Sequence, residues 1–383
     1  KYLLFLPLAI ITLTILTILR PIFIIRFSEI RSDRIAHFVA DTCIIHFEDK
    51  KVNKKFLDLY WISHTTSNNY WSKFAKKKVR FSYLAILLFP LKIIFPDSVH
   101  IIKKNHGAKL ASLDKNHLLD SNNSIISFSK REDDEAWKLL SKIGVTKNQK
   151  FVCYQLRDSE YLTKKFKTID FSVHNHRDVT LNNYIDSMEW LTKKGFFCFR
   201  MGKIVRDKVV SENNSIYDYA NSEIKSDFLD VWLMSNCSFC ITSGSGIDEI
   251  SVWSKKPILF TNAVKLMGGW PSSKVLIGPK KLYYQNNNKV GFSFYIDNSY
   301  YNFKKLSDLG IKIKELNSNE ILSLVKEFYI LCKNNFLLNE KYFYNASYMN
   351  KIRKHPNFNK RGFKRNNFKN SLLSKDFINW IEN

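Results

Sequence analysis

The run Thr242-Ser-Gly-Ser-Gly-Ile-Asp-Glu249 follows directly on an apolar stretch at 239–241. Glycine lets a backbone come close to a ligand, and the start of a helix offers unpaired N–H groups with partial positive charge. Gly244 and Gly246, with the hydroxyls of Ser243 and Ser245, therefore suit a phosphate. Glu249 accepts hydrogen bonds only and repels phosphate, so its natural partner is a diol such as a ribose. Open parallel sheets bind ligands at the carboxyl ends of their strands. Other apolar stretches also end in polar residues: Arg157, Asp158 and Ser159 after 151–156, Arg200, Gly202 and Lys203 after 196–199, and Thr261 and Asn262 after 257–260. Arg157 and Arg200 could each contribute about 1.5–3 kcal/mol to a bound phosphate through charge-assisted bonds. The alternative for both is an ion pair inside the domain with Asp158, Asp218 or Asp230. The loop fits neither the GxGxxG nor the GxxxxGK[ST] pattern, which argues against dinucleotide and P-loop chemistry.

These residues need a sheet to hold them. Strand-like runs at 151–156, 196–199, 239–241 and 257–260 alternate with helical patterns at 181–194, 227–234 and 248–254, and Gly195 stops the first helix. That alternation predicts a parallel sheet with crossover helices. A further helix is expected over 318–334, capped by Ser318 or Asn319. A polar Asp-Ser-Asn-Asn-Ser cluster at 120–124 precedes a helix with Trp137, Leu139, Leu140 and Ile143 on one face, marking a boundary. Four segments are expected: an anchor at 1–26, an α/β domain at 27–125, a Rossmann-like domain at 126–310, and helices with a basic tail at 311–383. Within the second, 32–49 reads as a cap (Asp33), a helix and a short strand. Residues 73–96 join a basic cluster to an apolar run broken at Pro90 and Lys92, and read as an interfacial element or as a helix plus a buried strand. Residues 351–370 are rich in Lys and Arg without an acid and read as a solvated tail or a membrane-facing patch.

With 60 Lys and Arg against 35 Asp and Glu, the formal charge is +25, which points to nucleic acid or an anionic membrane. No zinc finger, RNP signature or basic zipper accompanies the charge, so no nucleic-acid partner is expected. The uncharged run from Tyr2 to Leu19, followed by Arg20, Arg26, Arg31 and Arg34, predicts a membrane anchor, spanning or shallow, with its basic side cytoplasmic. Most of the six cysteines lie in apolar runs and read as small hydrophobes. Cys237 and Cys240 have metal-like spacing but no second pair, so no metal is expected there.

The block from Val152 to Asn262 resembles a family of bacterial glycosyltransferases found with surface-polysaccharide genes. The resemblance rests on "VCYQLRDSEYL", "HRDVTLNNYIDSMEWLTKKGFFCFRMG", "IYDYANSEIKSDFLDVWLMSNCSFCITSGSGI" and "KKPILFTN". "RIAHF", from Arg34 to Phe38, is similar to that family's Arg-Ile-Gly-His element, with Ala36 in place of glycine. The resemblance runs in order over most of residues 20–340. It implies a GT-B-like α/β fold with two Rossmann-like domains and a nucleotide-sugar donor in the second. "SGSGIDE" is similar to the Ser-Gly-Gly-x-x-Glu loop of GT-B enzymes and of nucleotide-sugar 2-epimerases, which implies diphosphate binding at 244–246 and ribose binding at Glu249. "RIAH" resembles the first loop of GT-B N-terminal domains, and His37 is the expected base for the acceptor hydroxyl. Arg34, His176, Arg177 and Asn262 are candidate substrate contacts, and His174 shares the loop of the middle two.

No Asp-x-Asp motif follows a strand, so the expected reaction needs no metal, and Arg157, Arg200 and the loop amides neutralise the departing diphosphate. The expectation is a glycosyltransferase at the cytoplasmic face of the inner membrane. It uses a nucleoside-diphosphate sugar as substrate, with no cofactor, and a cell-surface glycan or lipid-linked acceptor. The alternatives are a nucleotide-sugar 2-epimerase or hydrolase, and a non-catalytic sugar-binding protein of the envelope.

Overall fold

The structure, a computed structural model, describes residues 4, 6–49, 55–63, 65–102, 114, 118–165, 170, 172–264, 266, 274–297, 303–336, 343–356 and 371–383. The chain divides into two compact units, Lys1–Ser112 and Leu113–Asn383.

The first unit runs α1 (Leu6–Leu19), β1 (Ile24–Ile30), α2 (Ile35–Asp49), β2 (Phe56–Ile62), α3 (Asn69–Lys78), a 3-10 segment (Tyr83–Leu88) and α4 (Phe89–Ile94). β1 and β2 pair in parallel, from Ile24 opposite Phe56 to Ile30 opposite Ile62, and α2 is the connection between them. Single bridges set Ile101 beside Phe27 and Phe81 beside Tyr60. The expected first Rossmann-like domain is therefore, among the described residues, a small α/β unit around one parallel pair. The helix-then-strand reading of 32–49 is corrected to one unbroken helix. Phe38 to Ile45 are all buried, and a run buried on every side carries no period that separates helix from strand. Asp33, the expected cap, stands two residues before the first residue of α2, and its two oxygens accept from the Arg31 guanidinium at 2.6 and 3.0 Å.

Among the described residues no helix is long and apolar enough to cross a membrane. α1 has 14 residues, about 21 Å of helix against the ~30 Å of a bilayer core. It buries Ala9 and Leu16 against Phe27, Trp61, Ala85, Leu88 and Leu91. Among the described residues the segment expected as a spanning or shallow anchor is thus a helix packed into the flank of its unit. The apolar run after α3 is helical rather than a strand, with Pro90 in the first turn of α4, where its missing N–H breaks no bond.

The second unit holds a seven-stranded sheet in the order β5-β4-β3-β6-β7-β8-β11, every pair parallel. Its elements are α5 (Leu118–Ser121), α6 (Lys130–Ser141), β3 (Phe151–Gln155), α7 (Glu160–Lys165), α8 (Ile185–Thr192), β4 (Phe197–Arg200), β5 (Ile216–Tyr217), α9 (Asp227–Asn236), β6 (Cys240–Thr242), α10 (Asp248–Trp253), β7 (Ile258–Ala263) and β8 (Val275–Pro279). An antiparallel pair of β9 (Lys281–Tyr283) and β10 (Lys312–Lys314) follows, with α11 (Phe292–Asp297) and α12 (Phe303–Asp308) between its strands. α13 (Ser318–Lys333), α14 (Phe343–Lys354), β11 (Ser371–Leu373) and α15 (Lys375–Glu382) complete the chain.

Taken in chain order, the sheet reads 3-2-1-4-5-6-7, the doubly wound arrangement with one strand added. The core on one face joins Val152, Tyr154 and Ile241 to Met188 and Leu191 of α8 and to Ile321, Leu324 and Phe328 of α13. α8 is preceded by a 3-10 turn (Leu181–Tyr184), and Gly195 ends the element with φ +85. α13 is capped by Asn317, in a capping box with Glu320, rather than by Ser318 or Asn319. All six cysteines are free thiols and all but Cys332 are buried. The basic stretch expected as a tail begins inside α14, which buries Met349 and Ile352, and its residues 357–370 lie outside the described residues.

Candidate functional site

Strand order reverses between β3 and β6. The chain leaves β3 toward β4 and leaves β6 toward β7, and it is at the carboxyl ends of strands at such a switch point that open parallel sheets bind ligands. Gln155 stands opposite Thr242 in that pair. The Gly–Ser loop grows out of β6 and is tied to the end of β3. Gln155 Nε2 donates to Ser245 Oγ at 3.0 Å, the Arg157 amide donates to Ser243 Oγ at 2.8 Å, and the Ser243 amide donates to the Gln155 carbonyl at 3.2 Å.

Asp248 shapes the loop from within. Its Oδ2 accepts from Thr242 Oγ1 at 2.7 Å and from the Ser245 amide at 2.9 Å, and the Gly244 amide donates to Thr242 Oγ1 at 3.0 Å. Burial pushes the Asp248 carboxyl up, while these bonds and the Arg177 charge pull it back. The sequence reading placed the acids at a helix start and turned the loop amides toward phosphate. The structure corrects the second point for Gly244 and Ser245, whose amides serve the loop itself, and leaves the Ser245 hydroxyl and the half-buried Gly246. α10 has only six residues, all buried, so its dipole is a minor contributor. Gly244 is required for two local reasons: φ is +85, and an added Cβ would stand 3.1 Å from the Phe260 ring. Replacing Asp248 by alanine is expected to cost about 1–3 kcal/mol by leaving the Thr242 hydroxyl and the Ser245 amide without their acceptor. Urea unfolding reads this as a lower midpoint at constant m; an unmoved midpoint would show that the loop needs no internal acceptor.

Basic groups gather beside the loop. Arg157 Nε lies 3.1 Å from Asp178 Oδ1, and the Asp178 carbonyl accepts from Lys280 Nζ at 2.8 Å. Arg177 ends the 3-10 segment Ser172–Arg177, which also carries buried His176 and half-buried His174. Burial raises the Asp178 pKa and lowers that of Lys280. Of the expected site residues, the structure thus brings together Arg157, Arg177, Ser243, Gly244, Ser245 and Gly246, with Glu249 buried in the first turn of α10. Sequence reasoning missed Gln155, Asp178 and Lys280. Gln155 was counted inside the strand it ends, and Lys280 follows a strand, β8, that was not expected.

Three residues are accounted for by the fold instead. Arg200 is 2% exposed, with Nη1 3.3 Å from Asp218 Oδ1 and Nη2 3.8 Å from Asp158 Oδ2. This is the internal ion pair that the sequence left open. Asn262 sits at φ +55 in a β-bulge; its Nδ2 donates to Tyr184 Oη at 2.9 Å and its Oδ1 accepts from the Leu316 amide at 2.9 Å. Gly202 has φ +158, and an added Cβ would collide with Val205 Cγ1.

His37 and Arg34 belong to the first unit, His37 in the first turn of α2 and Arg34 just before it. His37 Nδ1 is buried with no hydrogen-bond partner among the described residues. Burial, and then the charges of Arg31 and Arg34, pull the imidazole pKa down to about 4. It is therefore neutral at neutral pH.

No family model and no curated protein matches the chain. Among solved structures, a glycosyl transferase family 9 protein from Veillonella parvula DSM 2008 is similar at a TM-score of 0.44 and 9% identity, over 79% of this chain and 96% of that one.

Proposed function

We propose that this chain is a GT-B-type glycosyltransferase that moves a sugar from a nucleoside-diphosphate donor to a cell-surface glycan or lipid-linked acceptor, without a metal ion. The observation that carries the reading is the Gly–Ser loop at the β3/β6 switch point, tied to Gln155 and flanked by Arg157, Arg177 and Lys280. The diphosphate would lie against Ser245, Gly246 and these cations. In the transfer, the acceptor oxygen bonds to the anomeric carbon as the bond from that carbon to the diphosphate oxygen breaks. The proton of the acceptor hydroxyl passes to His37, and the nucleoside diphosphate leaves with both electrons of the broken bond. Cations fixed at the leaving diphosphate stabilise charge where it develops.

Release of nucleoside diphosphate from a panel of nucleotide sugars, with and without glycan acceptors, tests the reading. Acceptor-dependent release is expected, and it should survive EDTA. Acceptor-independent turnover would favour a hydrolase or 2-epimerase, ligand binding without turnover would favour a sugar-binding protein, and loss on chelation restored by manganese would favour a metal-dependent route.

A base must be neutral to accept a proton. With its pKa lowered to about 4, His37 stays neutral through mildly acidic pH and protonates only as pH falls toward that value. The acid limb of kcat/KM should therefore lie well below the ~6.5 of an ordinary histidine. His37→Gln should lose about 10²–10⁴-fold in kcat/KM. An acid limb near neutrality, or full activity in His37→Gln, would remove His37 from this role.

A further inference from the structure

α1 is apolar on every side but only one flank is buried. Leu8, Ile11, Ile15 and Ile18 form a stripe at helical spacing, opposite Ala9 and Leu16, and Ile18 is 71% exposed. Ile22 continues the stripe beyond the helix at 73% exposure. Ile93, Ile94 and Phe95, at the end of α4, are also exposed, and α4 packs on α1 in the same unit. Contiguous exposed apolar surface of this kind marks an interaction site.

Three observations identify what covers it. The helix hides its polar atoms: the Thr12, Thr14 and Thr17 hydroxyls donate back to the Leu8, Ile10 and Leu13 carbonyls at 2.8, 3.1 and 2.8 Å. A hydroxyl with its donor satisfied inside the helix tolerates hydrocarbon, where no water can bond to it. The same unit carries a basic set, exposed Arg20, Lys77 and Arg80 and half-buried Lys76 and Lys78, and Lys76 reaches the 3-10 segment that packs on α1. No acid occurs in the sequence from Tyr2 to Ser28 or from Asn69 to Pro96, so the segments that carry the apolar face and the basic set hold charge of one sign. Finally, Lys76 Nζ lies 5.2 Å from the centre of the Tyr83 ring and donates to its hydroxyl at 3.1 Å, with Tyr83 itself exposed. A tyrosine beside a lysine suits the headgroup level, where an aromatic body meets a polar tip.

We propose that the exposed faces of α1 and of the α4 end enter one leaflet of an anionic bilayer in plane, with Arg20, Lys76, Lys77 and Arg80 on the lipid headgroups. The surface belongs to the first unit alone and stands whatever reaction the second unit carries. α1 lies along the membrane because its buried flank fixes it to the body of the unit.

Vesicle flotation of the full chain tests this. Vesicles of equal parts phosphatidylcholine and phosphatidylglycerol should carry the protein at low salt, phosphatidylcholine alone should carry much less, and high salt should narrow the difference. The triple variant Ile11→Glu, Ile15→Glu, Ile18→Glu should lower the floated fraction at least ~10-fold, with circular dichroism unchanged. Ile18→Ser is the milder companion should the triple variant fold poorly, and it should lower flotation in the same direction. Lys76→Glu with Lys77→Glu should abolish the preference for anionic lipid. Two results would overturn the proposal: flotation of the Ile variants equal to the parent, or a dimer in lipid-free solution that these variants dissociate while flotation is unchanged. For the in-plane geometry, tags at the two chain ends should both be digested by protease added to one side of sealed membrane vesicles from expressing cells. Digestion from opposite sides would mean that the chain spans.

Discussion

Replacing Arg200 by alanine is expected to destabilise the second unit by about 3–5 kcal/mol, the cost of removing one partner from a buried ion pair. The reason lies in what stays behind. Asp158 accepts from the Glu160 and Arg206 amides at 3.0 Å each, and Asp218 accepts from the Val209 amide at 3.0 Å and from Asn221 Nδ2 at 2.8 Å. Both carboxylates hold the loops after β3 and β4 and cannot leave, so without the guanidinium two half-buried like charges lose their shared counter-ion. Arg200→Lys should recover part of the loss, because an ammonium restores the charge without the planar fork. Urea denaturation measures the effect. An Arg200→Ala protein with parental stability and lost nucleotide affinity would reverse the assignment and return Arg200 to the ligand.

This outcome also shows where sequence reading stops. Arg157 and Arg200 are indistinguishable as strand-end arginines, and the strand-end rule selects both. Both are ion-paired inside the unit, Arg157 with Asp178 and Arg200 with Asp158 and Asp218, and what separates them is strand order. β3 borders the switch point and β4 lies one strand further out, and that order is fixed by packing of helices on a sheet rather than by any local pattern. The strands themselves were legible: β3, β4, β6 and β7 begin within about a residue of where apolar runs begin, well inside the usual boundary error. β5 was not, because Ile216–Tyr217 is two residues long, and neither was β11, which reaches the sheet from far along the chain. The Gly–Ser loop was legible as a turn between a strand and a helix. The internal role of Asp248 was not, because an acid after glycine reads the same whether it caps a helix or holds the loop. α1 was legible as apolar, but its partners Trp61, Ala85 and Leu91 come from segments that only folding brings to it.

The binding of nucleoside diphosphate offers the sharpest contrast with Arg200. Arg177 sits near enough to the loop to favour the charged form of Asp248, yet it is half-buried and ends a 3-10 turn rather than a strand. Arg177→Gln should therefore change stability less than Arg200→Ala does. If Arg177 meets the diphosphate, its loss removes a charge-assisted bond of about 1.5–3 kcal/mol, or roughly a 10- to 150-fold weaker Kd. Gln155 gives an independent arm. Its Nε2 reaches Ser245, while its Oε1 is buried with no partner among the described residues. An amide can be turned over without changing its shape, so a diphosphate bound at the loop would meet either polar end of Gln155. Gln155→Leu removes that buried polar atom together with the bond to Ser245, so the ligand-free protein should change in stability by no more than about 1 kcal/mol, while nucleoside-diphosphate affinity falls by about 1–2 kcal/mol, close to tenfold. Calorimetric titration with a nucleoside diphosphate and with inorganic pyrophosphate, alongside thermal unfolding, separates the cases. Parental affinity in both variants would remove the switch point as the donor site, and a Gln155→Leu protein that loses stability but not affinity would make Gln155 a support of the loop alone. Glu249→Ala, run in the same series, should weaken the nucleotide and spare pyrophosphate, since only the nucleotide carries a ribose for the carboxylate to hold.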